Sequence, residues 1–468
     1  MTKRVFTLLL ALAFLPFSSL AEAPRPNVIF ILCDDLGYGD LGSFGQEDIL
    51  TPHLDEMAGE GLVFTQHYSG STVCAPSRSC LLTGKHTGNT YLRGNGDFAL
   101  RPDPLDFTIG ALMREAGYDT CLIGKNCTSG DVPADFSLPN KKGFDHFFGV
   151  LGHREAHHYH PPRVYRNGEA IDLPGNHLHE GEYFAPDLYL AEAVEWLNDE
   201  ARNEKPFFLL YSAPAPHASL SAPEEWIAKY RGKFPERSVP EKHYRGTEEP
   251  NATFAAMISR LDWEVGQLIE TVEAIGASED TLILFASDNG AQSAGGHQES
   301  DFNSSGPLRG EKRDLYEGGI RTPLLARWPG TIEAGRRSNH VSAFWDLMPT
   351  LAELAGVEAP EDIDGISYAP TLLDKPEEQE EHDYLYWEFF EKGGKRAVRF
   401  ADWKAVQLDL MKKGGPRAVE LYNLREDLAE TTNLAEKHPD KIAKAKEIFE
   451  TARSESPIEK FNFPSNNP

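Results

Sequence analysis

Two short, uninterrupted apolar runs constrain the fold of this chain more than any other feature. Residues 27–33 read Asn-Val-Ile-Phe-Ile-Leu-Cys, and residues 281–286 read Thr-Leu-Ile-Leu-Phe-Ala. Runs of this length, rich in branched residues and without polar alternation, are typical of strands that are covered on both faces. We therefore predict an α/β fold with a large, mixed, mostly parallel sheet sandwiched by helices.

Acidic and amide side chains follow both runs. Asp34 and Asp35 come directly after the first run, and Asp288 and Asn289 follow the second after one serine. In open α/β sheets, ligands bind at the carboxyl ends of the strands, and adjacent buried carboxylates repel one another unless a cation lies between them. The pattern predicts a metal site, and its oxygen ligands favour Ca²⁺ or Mg²⁺ over zinc or copper.

A third segment contains a candidate reactive residue. Within residues 71–84, Cys74 stands just before a Pro-Ser-Arg turn and a small apolar run. Average composition would produce Cys-x-Pro-Ser-Arg in a chain of this length roughly once in a thousand trials. An isolated cysteine in this setting is usually a buried small residue ahead of a proline-led helix start. The assignment of Cys74 as the reacting residue therefore depends on its surroundings.

Those surroundings resemble the type I sulfatases, which are arylsulfatase-like, formylglycine-dependent enzymes of the alkaline phosphatase superfamily. Several separate motifs occur in the family's order and span nearly all of the chain after residue 23. They are residues 34–40 (Asp-Asp-Leu-Gly-Tyr-Gly-Asp), 74–84, 124–125 (Gly-Lys), 213–217 (Ala-Pro-Ala-Pro-His), 288–290 (Asp-Asn-Gly) and 309–312 (Arg-Gly-Glu-Lys). The resemblance implies the sulfatase-like fold, with a smaller C-terminal domain.

The resemblance also implies roles for individual residues. In the family, a maturation enzyme oxidises the cysteine to formylglycine, whose hydrated aldehyde attacks the sulfur of a sulfate ester. One residue of the maturation signal differs, because Lys85 stands where arginine is usual. The implied catalytic residues are Cys74, Arg78, Lys125, His217 and Lys312, with His217 as the acid for the leaving oxygen, and the implied ligands of Ca²⁺ are Asp34, Asp35, Cys74, Asp288 and Asn289.

The chain departs from the usual family pattern after Lys125. Many sulfatases read Gly-Lys-Trp-His there, but residues 124–127 read Gly-Lys-Asn-Cys, so Cys127 replaces a histidine base. A thiol of ordinary pKa is a poor base at neutral pH unless a nearby cation lowers that pKa. The histidine-rich residues 153–160 offer a substitute. We take His157 as a substrate-binding residue and as one candidate base, with a metal-site aspartate as the other. We expect Tyr159 to belong to a sugar-facing wall. A polar surface loop is the alternative interpretation of this segment.

The N-terminus has the pattern of a signal peptide. A basic start at Lys3 and Arg4 precedes a mostly apolar stretch over residues 5–17, and Ala21-Glu22-Ala23 has the form of a cleavage site. We predict cleavage after residue 23 and export to the periplasm or the medium. No later stretch is apolar over enough residues to span a bilayer. In an oxidising compartment, Cys33, Cys80, Cys121 and Cys127 allow one or two disulfides, which spacing alone cannot pair.

Length and charge limit the remaining possibilities. A chain of 468 residues exceeds what one hydrophobic core usually supports. We predict a catalytic domain over residues 24–373, an acidic linker that begins at residue 374, and a C-terminal α+β subdomain over residues 374–468 with a small antiparallel sheet and one helix. The net charge of −27 argues against nucleic acid as a partner. An anionic substrate must then meet a local cluster of positive groups.

We predict that the protein hydrolyses sulfate monoesters, on sulfated sugars of extracellular polysaccharides or glycans, with small aryl sulfates as generic substrates. Three alternatives stay open. They are a phosphonate or phosphodiester hydrolase of the same superfamily, a non-catalytic glycan-binding homologue, and a hydrolase that uses unmodified Cys74 with a histidine partner.

Overall fold

The computed structural model describes residues 25–464 except 131–134, 154 and 200–204. The predicted signal peptide at residues 1–23 lies outside the described residues. Within them, eleven strands form one mixed sheet in the order β10-β2-β9-β8-β1-β7-β3-β4-β5-β6, with β11 also paired to β2. The strands are β1 (Asn27–Cys33), β2 (Leu62–Tyr68), β3 (Asp119–Lys125), β4 (His146–Val150), β5 (Arg163–Arg166), β6 (Glu169–Asp172), β7 (Phe207–Ser212), β8 (Thr281–Ser287), β9 (Arg321–Arg327), β10 (Arg336–Ser338) and β11 (Ser342–Ala343).

Helices cover both faces of this sheet, and one further helix packs on a second sheet. The helices of the described residues are α1 (Pro52–Glu60), α2 (Cys74–Thr83), α3 (Ile109–Glu115), α4 (Ala185–Leu197), α5 (Glu224–Ile227), α6 (Pro250–Ala274), α7 (Glu317–Ile320), α8 (Leu347–Ala355), α9 (Ala369–Leu372) and α10 (Pro439–Thr451). Short 3₁₀ helices lie at Gly42–Phe44, Asp135–Ser137, Pro139–Lys141, Glu155–His157, Ser278–Asp280, Glu299–Asp301, Phe344–Asp346, Pro376–Glu378 and Glu459–Phe461.

The uninterrupted apolar sequence of β1 follows from its position at the centre of the sheet. Ile29 and Ile31 pack on one face with residues of α1, α4 and α6. Phe30 and Leu32 pack on the other face with residues of α2, α3 and α8. Because successive side chains of a strand point to opposite faces, a strand between two helical layers needs apolar residues at every position. The predicted α/β fold is confirmed.

The five strands β8, β1, β7, β3 and β4 are parallel to one another. Their carboxyl ends therefore lie at one edge of the sheet. On the far side of β4, the hairpin of β5 and β6 extends the sheet with antiparallel strands. These two strands are short and largely exposed, so they lack the apolar signal that identified the central ones.

A second, antiparallel sheet contains β12 (Leu385–Phe389), β13 (Lys395–Phe400), β14 (Trp403–Leu408) and β15 (Glu420–Asn423) in sequence order. Helix α10 packs on one face through Ala445 and Phe449. On the other face, Trp387 packs against Tyr68 and Trp345 of the main body. The predicted small sheet with one helix is confirmed, and the boundary at residues 373 and 374 stays a prediction.

All five cysteines are buried and free, so the disulfides that the sequence left open do not form.

Across the part of the chain that the structure describes, no helix is both long and apolar enough to cross a membrane.

Candidate active site

Side chains from β1, β3 and β8 meet at the shared carboxyl edge of the sheet. Asp34 and Asp35 follow β1, Asp288 and Asn289 follow β8, and Lys125 ends β3. The backbone N–H of Asp35 donates to Oδ1 of Asp288 at 3.2 Å, and Nδ2 of Asn289 donates to Oδ1 of Asp35 at 2.8 Å. All five side chains are buried. The register of β1 with β8 thus brings the two acidic pairs together, as the sequence predicted.

Cys74 enters this cluster as the first residue of α2. Val73 before it has an extended backbone, and Gly84 ends the helix in the left-handed region with φ of 67°. Every residue of α2 is buried, so the helix is a fixed support for its first side chain. The Cys74 thiol donates to Oδ1 of Asp34 at 3.3 Å, and Nζ of Lys312 lies 3.8 Å from its sulfur.

Arg78 lies one turn after Cys74 and connects three strands. Its Nε and Nη2 lie 2.9 and 2.8 Å from Oδ2 of Asp288. Its Nη1 donates to the carbonyl of Lys125 at 3.0 Å and to the hydroxyl of Ser212. Gly124 permits this close packing, because a Cβ there would lie 2.1 Å from the carbonyl oxygen of Ser212. The arginine thereby fixes the positions of α2, β8 and Lys125.

Two lysines neutralise the first acidic pair. Nζ of Lys125 contacts Oδ2 of Asp34, and Nζ of Lys312 donates to Asp35 at 2.6 Å. Burial disfavours the charged form of Asp34, but Lys125 and the neighbouring cations outweigh it and hold its pKa well below the ordinary value. Burial raises the pKa of Asp35 despite Lys312, and burial with the charge of Asp34 raises the pKa of Asp288 to about 7. Burial thus offsets much of the effect that the nearby cations have on the pKa values of Asp35 and Asp288.

The buried oxygen donors of this cluster fit a bound divalent cation. Oδ1 of Asn289 is buried and has no hydrogen-bond partner. Ligand atoms of Asp34, Asp35, Cys74 and His217 all lie within 4.8 Å of one another. The oxygens of Asp34, Asp35, Asp288 and Asn289 are hard donors, which suit hard cations. The predicted ligands are thus brought together, and His217, which the sequence placed outside the metal site, lies beside them.

His217 lies on the turn after β7, between the acidic cluster and two loops. Its Nε2 is 3.5 Å from Oδ2 of Asp35, and its Nδ1 contacts the carbonyl of Ala218. Burial and then the charge of Lys312 hold the pKa of His217 well below its ordinary value. His157 stacks on His217 with ring centroids 4.3 Å apart and an interplanar angle of 13°. The predicted His157 is therefore adjacent to the cluster, in direct contact with His217.

The expectation that Tyr159 faces a ligand is wrong. Its side chain is 2 % exposed and belongs to the apolar core. Its hydroxyl donates to the backbone carbonyls of Pro214 at 2.9 Å and His217 at 3.0 Å. Tyr159 therefore holds the turn that carries His217 and has no free surface to offer.

Cys127 does not provide an activated thiol. It is 3 % exposed, and its backbone is in the left-handed region with φ of 59°. Burial raises the pKa of its thiol above the ordinary value, although Lys125 and Arg78 act in the opposite direction. The condition under which a thiol could serve as a base, a pKa lowered by nearby cations, is not met.

The C-terminal sheet holds the segment that carries Lys312. Nζ of Lys395 on β13 donates to the carbonyl of Arg313 at 2.6 Å and to Asp314 at 2.7 Å. Lys404 on β14 pairs with Glu317 at 2.8 Å. Sequence reasoning missed these supports, because a lysine on a short strand is indistinguishable from a surface lysine until the partner segment is placed.

Two family models match the chain. The model described as Sulfatase matches residues 26–357, and the model described as N-sulphoglucosamine sulphohydrolase, C-terminal, matches residues 310–453. The first match includes the whole cluster from Asp34 to Lys312. The second includes the segment with Lys312 and the antiparallel sheet that holds it.

Curated relatives with similar sequences are also sulfatases. N-acetylgalactosamine-6-sulfatase of Rattus norvegicus is 32 % identical over 380 residues, which is 75 % of this chain and 67 % of that protein. Arylsulfatase A of Homo sapiens is 33 % identical over 423 residues, or 85 % of this chain and 77 % of that protein. The chain thus spans about two thirds of the first relative's length.

Solved structures share the architecture. The crystal structure of Ps i-CgsB in complex with k-i-k-neocarrahexaose has a TM-score of 0.76 and 27 % identity, with 92 % of each chain covered. A phosphonate monoester hydrolase of Agrobacterium radiobacter has a TM-score of 0.66 at 23 % identity, covering 91 % of this chain and 95 % of that one, and this likeness concerns the fold alone.

Proposed function

Since this chain belongs to the sulfatase family and is a sulfuric ester hydrolase, we propose that it removes sulfate from sulfated sugars. The proposed reaction uses a formylglycine made from Cys74 and a divalent cation, with Ca²⁺ preferred. The observation that carries the proposal is the position of Cys74. It is the first residue of a buried helix, 3.3 Å from Asp34 and 3.8 Å from Lys312, in a cluster that contains three cationic side chains.

Hydrolysis of a sulfate monoester requires neutralised charge, because the ester oxygens repel an incoming nucleophile. Lys125, Lys312 and Arg78 are buried and already fixed by partners. Positive groups that are held in place before the reaction stabilise developing charge without the cost of reorganisation. We assign the sulfate to the space that these cations share with Cys74.

The protonation state of the Cys74 thiol bears on which group acts as the nucleophile. Burial, and then the charge of Asp34, raise its pKa well above the ordinary value. A protonated thiol is a poor nucleophile, which argues against a hydrolase that uses unmodified Cys74. Formylglycine supplies, as the hydrate of its aldehyde, the oxygen nucleophile that the thiol does not provide. Its formation implies a maturation enzyme as a partner.

The metal is assigned to Asp34, Asp35, Cys74, Asp288 and Asn289, with Ca²⁺ preferred and Mg²⁺ as the alternative. A divalent cation there supplies positive charge for the buried carboxylates and for the sulfate oxygens. The raised pKa values of Asp35 and Asp288 and the unpartnered Oδ1 of Asn289 support this assignment.

Removal of divalent cations is expected to reduce sulfate release at least a hundredfold, because the carboxylates then lack the positive charge that keeps them ionised. Addition of Ca²⁺ is expected to restore activity and to raise the melting temperature, since a ligand that binds only the folded state stabilises it. Both readouts are measured on chelated protein with Ca²⁺ or Mg²⁺ added back.

A matched pair of variants makes this test specific. Asp288→Asn is expected to lose the Ca²⁺-dependent rise in melting temperature. Asp301→Asn removes an acidic group that pairs with Arg237 near the surface, and it is expected to keep that rise. Full activity after exhaustive chelation would contradict the metal assignment.

The leaving oxygen needs a proton, and we assign its donation to His217. His217 lies 3.5 Å from Asp35, beside the space assigned to the sulfate. Its lowered pKa makes the neutral ring the resting form, so His217 must take up a proton when the anionic substrate binds. His157 stays the candidate base on the place of its ring against His217, although burial lowers its pKa and so weakens it as a base. An aspartate of the metal site is the alternative base.

Replacement of Cys127 by alanine is expected to change the kcat/KM for sulfate release by less than about threefold, because its thiol stays protonated and has no part in the reaction. The loss of a buried thiol is expected to cost about 1 kcal/mol of unfolding free energy. Steady-state kinetics at several pH values measure the first effect. A large fall in kcat would instead make Cys127 the functional replacement for the family's histidine.

The substrate class is tested by comparing sulfate esters of N-acetylgalactosamine, galactose and glucosamine with the matched phosphate esters and with an aryl phosphonate. The names of N-acetylgalactosamine-6-sulfatase and of a structure bound to a neocarrahexaose support a sugar. We expect turnover of sulfate esters only. Faster turnover of phosphate or phosphonate esters would favour the phosphoester alternative, and binding without turnover would favour a non-catalytic glycan-binding homologue.

We also propose export to the periplasm or the medium, from the signal-like residues 1–23, and a division into a catalytic domain over residues 24–373 and a C-terminal subdomain over residues 374–468.

A further inference from the structure

Four aromatic side chains from two separate loops form a cluster that contacts His217 through His157 and Tyr244. His153 and His157 come from the segment after β4, and His243 and Tyr244 come from the segment between α5 and α6. Ring centroids are 4.5 Å apart for His153 and His157, 4.8 Å for His243 and Tyr244, and 6.2 Å for His217 and Tyr244. We call His153, His157, His243 and Tyr244 the aromatic wall.

Polar atoms of the wall lack partners within the protein. Nδ1 of His153 and Nε2 of His157 are buried and form no hydrogen bond. No hydrogen bond to the Tyr244 hydroxyl occurs among the described residues. A buried polar group without a partner costs about 1–3 kcal/mol, and an orphaned group of this kind in a native protein calls for a specific explanation. A bound molecule with matching hydrogen-bonding groups would supply one.

The wall lies where the leaving group of the substrate must lie. The sulfate is assigned to Cys74 and the lysines, and the leaving oxygen is assigned to His217. The rest of the leaving group therefore extends past His217, whose outer face is covered by His157. The Tyr244 ring lies 6.2 Å from the ring of His217 and 6.5 Å from that of His157, between centroids. Tyr244 thus lies beside the residue assigned to the leaving oxygen.

The wall is suited to neutral polar groups. Burial lowers the pKa of His153 to about 3, and burial followed by the charge of His217 holds the pKa of His157 far below its ordinary value. Both rings are therefore neutral near pH 7 and do not attract a second sulfate. The wall is also distinct from the one close group of metal-ligating side chains in the described part of the chain, which comprises Asp34, Asp35, Cys74 and His217.

We propose that the aromatic wall is the subsite for the leaving group and that it selects a polyhydroxylated ring, the sugar of a sugar sulfate, over an aryl ring. This inference rests on the proposed function. A site with buried hydrogen-bonding groups rejects an analogue without hydroxyls strongly, because those groups are then left unpaired. An apolar pocket discriminates far less between two substrates, since one additional methylene group changes the free energy of transition-state binding by only about 1–3 kcal/mol.

The experiment removes single polar atoms and keeps the rings. Tyr244→Phe deletes one hydroxyl, and His153→Phe deletes the ring nitrogens but retains an aromatic ring against His157, the candidate base, which is left unchanged. For each variant, kcat/KM is measured on the sugar sulfate that the unaltered enzyme hydrolyses fastest among N-acetylgalactosamine 6-sulfate, galactose 4-sulfate and glucosamine 6-sulfate. The same measurement is made on 4-nitrophenyl sulfate. Tyr384→Phe, at a half-buried tyrosine beside the C-terminal sheet, is the matched control.

We expect the sugar-to-aryl ratio of kcat/KM to fall at least tenfold in each wall variant and to stay unchanged in the control. Equal losses on both substrates, or no loss, would overturn the subsite. The subsite would also be overturned if the unaltered enzyme hydrolysed 4-nitrophenyl sulfate but none of the three sugar sulfates. The aryl sulfate rate and the melting temperature of each variant report whether it has folded. Absence of sulfate release from every substrate would instead be a failure of the proposed function.

Discussion

Replacement of Cys74 by alanine is expected to abolish sulfate release, with a fall in kcat of at least about 10⁴-fold. The loss of a nucleophile from a site whose parts act together removes nearly all of the catalysed rate, since binding and electrostatic stabilisation alone leave little behind. The helix itself should tolerate the change. Cys74 is fully buried at the first position of α2, and alanine has a high helix propensity. The measurement is sulfate release from the best sugar sulfate and from 4-nitrophenyl sulfate.

Cys80 provides the matched control in the same helix. It is also fully buried, and its thiol donates to the carbonyl of Gly70 at 3.5 Å. Cys80→Ala removes an equal volume on the other side of the helix, and it is expected to reduce stability by about 1–2 kcal/mol while sulfate release continues. Equal inactivation by both changes would mean that disruption of α2, and no chemistry at Cys74, explains the loss.

Mass spectrometry of the peptide that contains Cys74 tests the proposed modification separately. Conversion of the CH₂–SH group to an aldehyde removes sulfur and two hydrogens and adds one oxygen, so the peptide mass falls by a fixed amount. We expect this loss in active protein at Cys74 and at no other cysteine. An unmodified thiol in fully active protein would overturn the formylglycine proposal and revive the alternative in which the thiol itself reacts.

The central part of the fold was predictable because its strands are buried on both faces. Strand β1 occupies the predicted residues, and β8 exceeds its predicted range by one serine. The hairpin of β5 and β6 carries no such signal, because only Val164 of its eight residues is fully buried. Tertiary position, which the sequence does not contain, decides that this segment joins the sheet.

The candidate site was predictable where side chains follow strand ends or motifs. Asp34, Lys125 and Asp288 belong to that group. His243 and Tyr244 do not, because they lie in a charged, irregular segment with no periodicity, and only the folded chain brings them to His217. The error over Tyr159 has the same origin. A tyrosine within a histidine-rich loop looks like part of a binding surface until its hydroxyl is seen to hold the backbone of the neighbouring turn.

Replacement of Lys404 by methionine is expected to destabilise the protein by about 3–5 kcal/mol at pH 8, the usual cost of removing one partner from a buried ion pair. Nζ of Lys404 is fully buried, 2.8 Å from Glu317 and 3.4 Å from Glu430. Glu317 keeps Arg321 as a partner at 3.1 Å, whereas Glu430 pairs with no second cation among the described residues. The unfolding free energy from urea titration measures the loss. Lys412→Met, at an exposed pair with Asp409, is expected to cost less than about 1 kcal/mol.

The loss of unfolding free energy caused by Lys404→Met should also depend on pH. Burial raises the pKa of Glu430 to about 7 even though Lys404 lowers it, so without Lys404 the folded-state pKa rises further. The unfolded chain releases this proton near the ordinary pKa of glutamate, and the folded state retains it. Stability therefore falls as the pH rises from about 5 through 8, by up to about 1.4 kcal/mol per pH unit. The variant is expected to lose less at pH 5.5 than at pH 8.

Glu430→Gln in the Lys404→Met background separates the charge effect from the loss of packing. If an unpaired carboxylate causes the loss, the second change should recover most of it at pH 8 and little at pH 5.5. Glu317 donates its backbone N–H to Glu430 at 2.7 Å and begins α7, five residues after Lys312. Because this segment positions Lys312, Lys404→Met is also expected to lower kcat, and the double variant is expected to regain it. A destabilisation that is equal at both pH values and unaffected by Glu430→Gln would assign Lys404 to packing alone.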